Sequence, residues 1–224
     1  AATLRLGAGL SLGRVGDVQL GLEQARVRVK PFFNDNILTG TAAFSGEQYF
    51  VQLRIDTLDS MSFPTQGQLV QALWRTPRLR AEERGSESEF RGLTGFRMGR
   101  WAGHVYAEVS RSELSDAPLS LGGFLRLSGT PIDSIDGRAS ALGRLVVGRP
   151  IGQMPIGLGG AVQAGFSLEA GGVAPPASNS RLQDLRKAGS LFVSVDTRLG
   201  PVYLALGATR HGERAVYVFL GPFW

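Results

Sequence analysis

Hydrophobic residues recur at every second position through much of this chain. Near its start Leu4, Leu6, Ala8, Leu10 and Leu12 share one face, while Arg5, Gly7, Gly9, Ser11 and Gly13 share the other. The pattern returns at Tyr49, Val51, Leu53 and Ile55 against Phe50, Gln52, Arg54 and Asp56, and at Leu191, Val193 and Val195 against Phe192, Ser194 and Asp196. The longest run sets Ile156, Leu158, Gly160, Val162, Ala164, Phe166 and Leu168 against Gly157, Gly159, Ala161, Gln163, Gly165, Ser167 and Glu169. Period two marks a strand with two unlike faces, and about ten residues is what a tilted strand needs to cross a bilayer. One face is oily and the other small or polar, which predicts an all-β, antiparallel transmembrane β-barrel. A soluble sandwich also alternates, but its polar face carries more Lys, Glu and Thr and less Gly. From Val18 to Lys30 the phase slips near Glu23 and Gln24, predicting a bulge or the point where that strand leaves the bilayer.

The connections alternate in length as well. Short ones are expected at 13–17, 63–67, 99–103, 149–155 and 199–201, and long ones at 30–47, 78–89, 112–137 and 171–189, with a tight reverse turn at 211–213. Outer-membrane barrels join their strands by short periplasmic turns and longer external loops. The parity holds only if the apolar stretch 119–128 belongs to the long loop, which gives eleven strands. Counting that stretch as a strand gives twelve, and the short and long connections then change sides midway. Because bacterial barrels use even numbers of strands, eleven implies further strands upstream.

Composition supports one domain over 1–224, with Gly at 31 residues, no Cys and 43% hydrophobic residues. Small residues relieve crowding between tilted strands, and a Cys-free chain suits the oxidising periplasm. The net charge of +5 comes from Arg, since Lys occurs only at Lys30 and Lys187. These Arg residues are dispersed rather than gathered in a basic stripe with aromatics, so no nucleic-acid partner is expected. They suit a barrel lumen and rims that meet anionic lipid, including lipopolysaccharide. The charge-free segment 150–168 is broken by Pro155, Gly157, Gly159, Gly160 and Gly165, a poor helix and a better strand. The N-terminus lacks the features of a signal peptide, so either one was removed or the chain is a piece of something longer.

No catalytic role is expected of the chain itself. It has no Gly-Xaa-Ser-Xaa-Gly elbow, and topology puts His104 and His211 at opposite rims, too far apart to share a site. No Cys or His pair has metal-ligand spacing, and Asp133 with Asp136 reads as a solvated loop pair, so no metal or cofactor is expected.

Four stretches carry a family resemblance. They are Asp-Thr-Leu-Asp-Ser at 56–60 with Phe63, Pro64 and Gly67; Leu-Gly-Gly-Phe-Leu-Arg-Leu-Ser-Gly at 121–129; Leu-Gly-Pro-Val-Tyr-Leu at 199–204; and the closing Gly-Pro-Phe-Trp at 221–224. In this order they resemble the bacterial surface-antigen barrels. That superfamily includes outer-membrane assembly factors, two-partner secretion transporters and the C-terminal barrels of patatin-like phospholipase autotransporters, and the wording is most similar to the last. The resemblance implies a Gram-negative outer-membrane location and a sixteen-stranded barrel of which this chain is the last eleven strands. It also implies an upstream passenger in cis, a patatin-like lipase, that the barrel anchors or translocates, and insertion by the barrel assembly machinery. The alternatives are an assembly or two-partner secretion transporter, and a twelve-stranded integral outer-membrane phospholipase.

Site residues follow from the same resemblance. The loop 112–137 is expected to enter the lumen through Gly122, Gly123, Arg126, Ser128 and Gly129. Where the family has Val-Arg-Gly-aromatic, this chain has Leu127-Ser128-Gly129-Thr130, so Arg126 is expected to take over the ion pair with the lumen acids Glu169 and Asp196. Tyr217, Phe219, Gly221 and Trp224 match the C-terminal signal for membrane insertion.

Overall fold

A computed structural model describes residues 2–29, 42–78, 85–114, 119–154, 160–174 and 183–221. Its strands are β1 (Ala2–Ser11), β2 (Gly16–Val29), β3 (Ala42–Asp56), β4 (Gln68–Arg78), β5 (Glu87–Met98), β6 (Trp101–Ser112), β7 (Leu119–Leu121), β8 (Ile135–Gly137), β9 (Ala139–Gln153), β10 (Ala161–Ala174), β11 (Gln183–Thr197), β12 (Gly200–Thr209) and β13 (Arg214–Leu220). Eleven of them form one antiparallel meander, and β7 and β8 make a separate ribbon, so that β6 pairs directly with β9. The stretch 119–128 therefore belongs to the long connection, as the parity required.

Alternation sorts the faces. Outward stand Leu6, Leu10, Leu20, Leu191, Leu206 and Val218, the last 80% exposed, while Phe50, Leu69, Phe192 and Tyr203 are buried on the concave side. A continuous outward row of large apolar side chains suits a surface solvated by lipid. β6 shows the rule most cleanly: Val105 and Val109 face out, while His104, Tyr106, Glu108 and Ser110 are buried inside.

Several boundaries differ from the sequence expectations. No bulge occurs at Glu23 and Gln24, because β2 keeps unbroken register with β1 and β3, setting Glu23 opposite Arg5 and Gln24 opposite Glu47. The slip is one of chemistry, with polar side chains reaching both faces near the strand's end. The turn placed at 149–155 is shifted, since β9 runs on through Pro150 to Gln153. The register irregularity between Val162 and Gln163 sits opposite this proline, which has no N–H to give the ladder. β10 and β11 likewise extend into the loop expected at 171–189, leaving 175–182, which lies outside the described residues. Also outside them are 30–41 and 79–84 of two other expected loops, and 155–159, the start of the longest alternating run.

The connection expected at 63–67 is larger, spanning 57–67, and it turns inward. Asp59 accepts hydrogen bonds from the Thr65 amide (2.8 Å), the Thr65 hydroxyl (2.6 Å) and the Gln66 amide (3.1 Å), which folds the segment back on itself. Despite slight burial, these bonds hold the Asp59 carboxyl below its ordinary range. Phe63 is thereby buried against the His104 ring at 5.9 Å between centroids. His104 is thus an interior residue of β6, not the rim residue expected, whereas His211 lies exposed in the turn before β13.

The core fills the concave side in two clusters around the long connection. Phe124 and Leu125 join Phe63, Val146, Phe192 and Tyr203, while Leu121 and Leu127 join Leu69, Leu93, Tyr106 and Leu142.

Candidate functional site: a loop clasped to the concave face

Between β7 and β8 the chain makes a compact turn whose backbone is bent against its preference. Gly122, Gly123 and Gly129 have positive φ, and so do two leucines, Leu125 (59°) and Leu127 (81°). A non-glycine residue in that region costs about 1–3 kcal/mol and persists where its surroundings over-determine it. Here they do. The Leu127 and Ser128 amides each donate to Glu169 Oε2 at 2.7 Å, and the Ser128 hydroxyl donates to Glu169 Oε1 at 2.7 Å. Arg144 of β9 donates through Nη1 to the Leu125 carbonyl at 3.0 Å. Ser128 also turns back on its own loop, accepting the Leu125 amide at 3.0 Å.

A second attachment is ionic. Arg126 makes a two-pronged contact with Glu108 of β6, Nη1 to Oε2 and Nη2 to Oε1, both at 3.0 Å. Glu108 also accepts the Tyr106 hydroxyl at 2.6 Å. Although burial opposes it, the Glu108 carboxylate holds the Arg126 guanidinium above its ordinary range. Arg144 lies over the Tyr106 ring, its guanidinium carbon 4.1 Å from the centroid, a cation–π contact that joins the two attachments.

The far side of the loop leans on β12 and β13. The Gly129 amide donates to the Tyr217 hydroxyl at 2.8 Å, and that hydroxyl donates to the Thr130 carbonyl at 3.3 Å. Phe124 stacks on Tyr217 at 5.5 Å and meets Tyr203 at 5.8 Å and Phe219 at 6.4 Å. Contact with β12 needs two glycines. A Cβ on Gly129 would stand 2.8 Å from backbone atoms of Ala208 and Thr209, and one on Gly207 would stand 2.8 Å from the Gly129 nitrogen.

The fold built around this loop has a known counterpart. The crystal structure of BamA from Haemophilus ducreyi lacking POTRA domains 1-3 overlays on the chain with a TM-score of 0.71. The match covers 94% of this chain and 51% of that one, at 11% sequence identity, so the chain spans about half the length of the protein it resembles and the likeness is one of fold. No protein-family model and no curated protein matches the sequence. The chain is therefore all-β, with an antiparallel sheet of the BamA barrel fold.

The structure gathers some of the expected site residues and separates others. Gly122, Gly123, Arg126, Ser128 and Gly129 all lie in the clasped turn, with Glu169 beneath it. Arg126 reaches Glu108, however, and not Glu169 or Asp196. Glu169 is engaged by the loop backbone and by Ser128, and Asp196 lies lower on β11, its Cβ beside Gly160. Tyr217 and Phe219 face inward onto Phe124, and Gly221 ends the last strand with its amide on the Pro201 carbonyl at 2.9 Å. Trp224 lies outside the described residues. Sequence reasoning missed Glu108, Arg144, Tyr106 and Gly207. Glu108 was within reach, since it sits between Val105 and Val109 on the same alternation that identified Glu169. Arg144 was not, for its inward neighbours Leu142 and Val146 are apolar and nothing in the spacing sets it apart.

Proposed function

We propose that the chain forms most of an outer-membrane barrel that handles polypeptide, anchoring or translocating an upstream passenger, with the patatin-like lipase as the passenger the sequence resemblance favours. In this reading the barrel contributes no catalysis, resides in the outer membrane of a Gram-negative bacterium, and is inserted there by the barrel assembly machinery. The observation that carries it is the loop clasped to the concave face of a BamA-like sheet by Glu169, Glu108 and Tyr217. A connection held by charged and neutral hydrogen bonds inside a barrel sets how much of the interior is filled, and hence what passes. The Tyr217 contact ties the loop to β13, one of the two edge strands of the sheet.

A second reading, an assembly or secretion transporter acting on separate client proteins, is favoured by the overlay with BamA itself. Ser128 and Thr130 weigh against it, since they replace the Arg and aromatic positions of the loop motif that the family's assembly factors share. The deciding experiment is the intact mass of the native protein extracted from outer membranes, with sequencing of whatever precedes Ala1. A Gly-Xaa-Ser-Xaa-Gly elbow upstream supports the anchored passenger. Several periplasmic repeats there, with other barrels depleted when the gene is lost, would establish the transporter instead.

A further inference from the structure

The outer surface of the last four strands carries a feature that the clasp does not use. In register across β10 to β13, one outward row reads Leu168, Gly189, Ala208 and Arg214, and the row below it reads Phe166, Leu191, Leu206 and Val216. Gly189 and Ala208 leave a hollow among larger apolar neighbours, an open furrow of about 830 Å³. Just above it Lys187 and Arg210 stand side by side, the Arg210 amide bonded to the Lys187 carbonyl at 3.0 Å, and both side chains are exposed, as is that of Arg214.

Glu213, in the turn between them, makes no ion pair with these cations. Glu213 turns inward, with Oε2 3.5 Å from the hydroxyls of Thr130 and Thr209 and 3.9 Å from Arg186. Among the described residues Lys187, Arg210 and Arg214 form no ion pair. Three outward cations above an apolar furrow match an amphiphile with an anionic headgroup and hydrocarbon chains, the headgroup paired and the chain seated between Leu168, Leu191 and Leu206.

The position selects the leaflet. The turn at 210–213 lies at the same end of the meander as the long connection that carries the clasp, and long connections mark the external face. Resting on the outer-membrane reading above, we propose that Lys187, Arg210 and Arg214 bind the phosphorylated glycolipid of the outer leaflet, the lipid A part of lipopolysaccharide, with an acyl chain in the furrow. Phosphates on a saccharide present several anionic oxygens at the height of the rim, where a single phosphodiester presents fewer.

Native mass spectrometry of the full chain, extracted in mild detergent from the outer membrane, tests this. The expected result is a retained lipid A adduct that weakens in K187A/R210A/R214A, roughly fivefold for each cation and on the order of a hundredfold for all three. Ala208→Leu, which fills the furrow and leaves the charge alone, is expected to weaken the adduct as well. Both variants leave the inward clasp intact, so retained heat-modifiability shows that they fold. An adduct unchanged in the triple variant, no adduct at all, or a phosphatidylglycerol adduct in its place overturns the site. Fractionation separates this failure from that of the underlying reading: a native chain absent from the outer membrane overturns the proposed function, whereas an outer-membrane chain without bound lipid A overturns only this site.

Discussion

At the scale of single residues the clasp depends on two carboxylates in different kinds of contact. Glu108 faces a planar cation that it matches oxygen for nitrogen, while Glu169 faces neutral donors, two of them backbone amides that only a proline would remove. Removing one member of a fully buried ion pair costs about 3–5 kcal/mol because the other is left uncompensated, and removing both costs less; here the cost is smaller, since Arg126 is a third exposed and Glu108 keeps Arg91 Nε at 3.8 Å and the Tyr106 hydroxyl. Arg126→Ala is therefore expected to lower the urea midpoint of the folded barrel more than the Arg126→Ala/Glu108→Gln double variant does. Equal losses would mean that the pair contributes little beyond packing. Glu169→Gln keeps the shape but loses the charge that four donors share, the Leu127 and Ser128 amides and the Ser128 and Ser167 hydroxyls, and is expected to cost about 1.5–3 kcal/mol, the scale of a hydrogen bond to a charged group. Asp59 makes a pH-dependent contribution at the opposite end. Its folded pKa is depressed, so its stabilisation is present above the ordinary carboxylate range and is lost as pH falls through the lower, folded value. Protease cleavage within 57–67 should rise on acidification, and Asp59→Asn should show the acid behaviour at neutral pH. A cleavage rate flat with pH would remove Asp59 from the account.

At the scale of elements, strand faces were legible in the sequence and the filling of the interior was not. Period-two alternation places Leu4, Leu6, Tyr49, Val51 and Leu191 outward because a strand has no other way to separate lipid from lumen. The same rule describes the inner face as small or polar, and there it falls short. Leu69, Phe192 and Tyr203 are inward and large because the inserted loop brings its own Phe124, Leu125 and Leu127 for them to pack against. A residue on one strand cannot signal a partner that arrives from a connection far along the chain. The choice of Glu108 over Glu169 for Arg126 has the same origin, since it follows from how the loop is rotated as it enters. Two glycines hold that rotation. Gly207→Ala puts a methyl group against the Gly129 nitrogen and Ser128 Cβ, and is expected to lift the loop from β12 while leaving the β11–β12 register intact. Limited proteolysis should then cut within 119–137, which the clasp is expected to protect in the native chain. Full protection in Gly207→Ala would show that the loop has room to shift without detaching.

At the scale of the whole molecule, the sheet has two edges. β1 pairs only with β2 and β13 only with β12 among the described residues, so each presents a row of backbone N–H and C=O groups on its far side. In water such an edge invites aggregation, and in hydrocarbon each unpaired group costs several kcal/mol, which no packing elsewhere in the sheet offsets. On the reading proposed above, further strands complete the barrel between β13 and β1. These 224 residues contain no Cys, so introduced pairs meet no competing thiol within the sheet itself. With single cysteines at outward positions 4, 6 or 10 of β1 combined with 216, 218 or 220 of β13, oxidation in native outer membranes is expected to give no cross-link in any pairing, since intervening strands hold the edges farther apart than the Cα separation of about 4.4–6.8 Å that a disulfide needs. Efficient cross-linking in one register would instead mean that the eleven strands close on themselves. The clasped loop would then fill a much narrower lumen, and the anchor reading would have to give way to a barrel that is plugged.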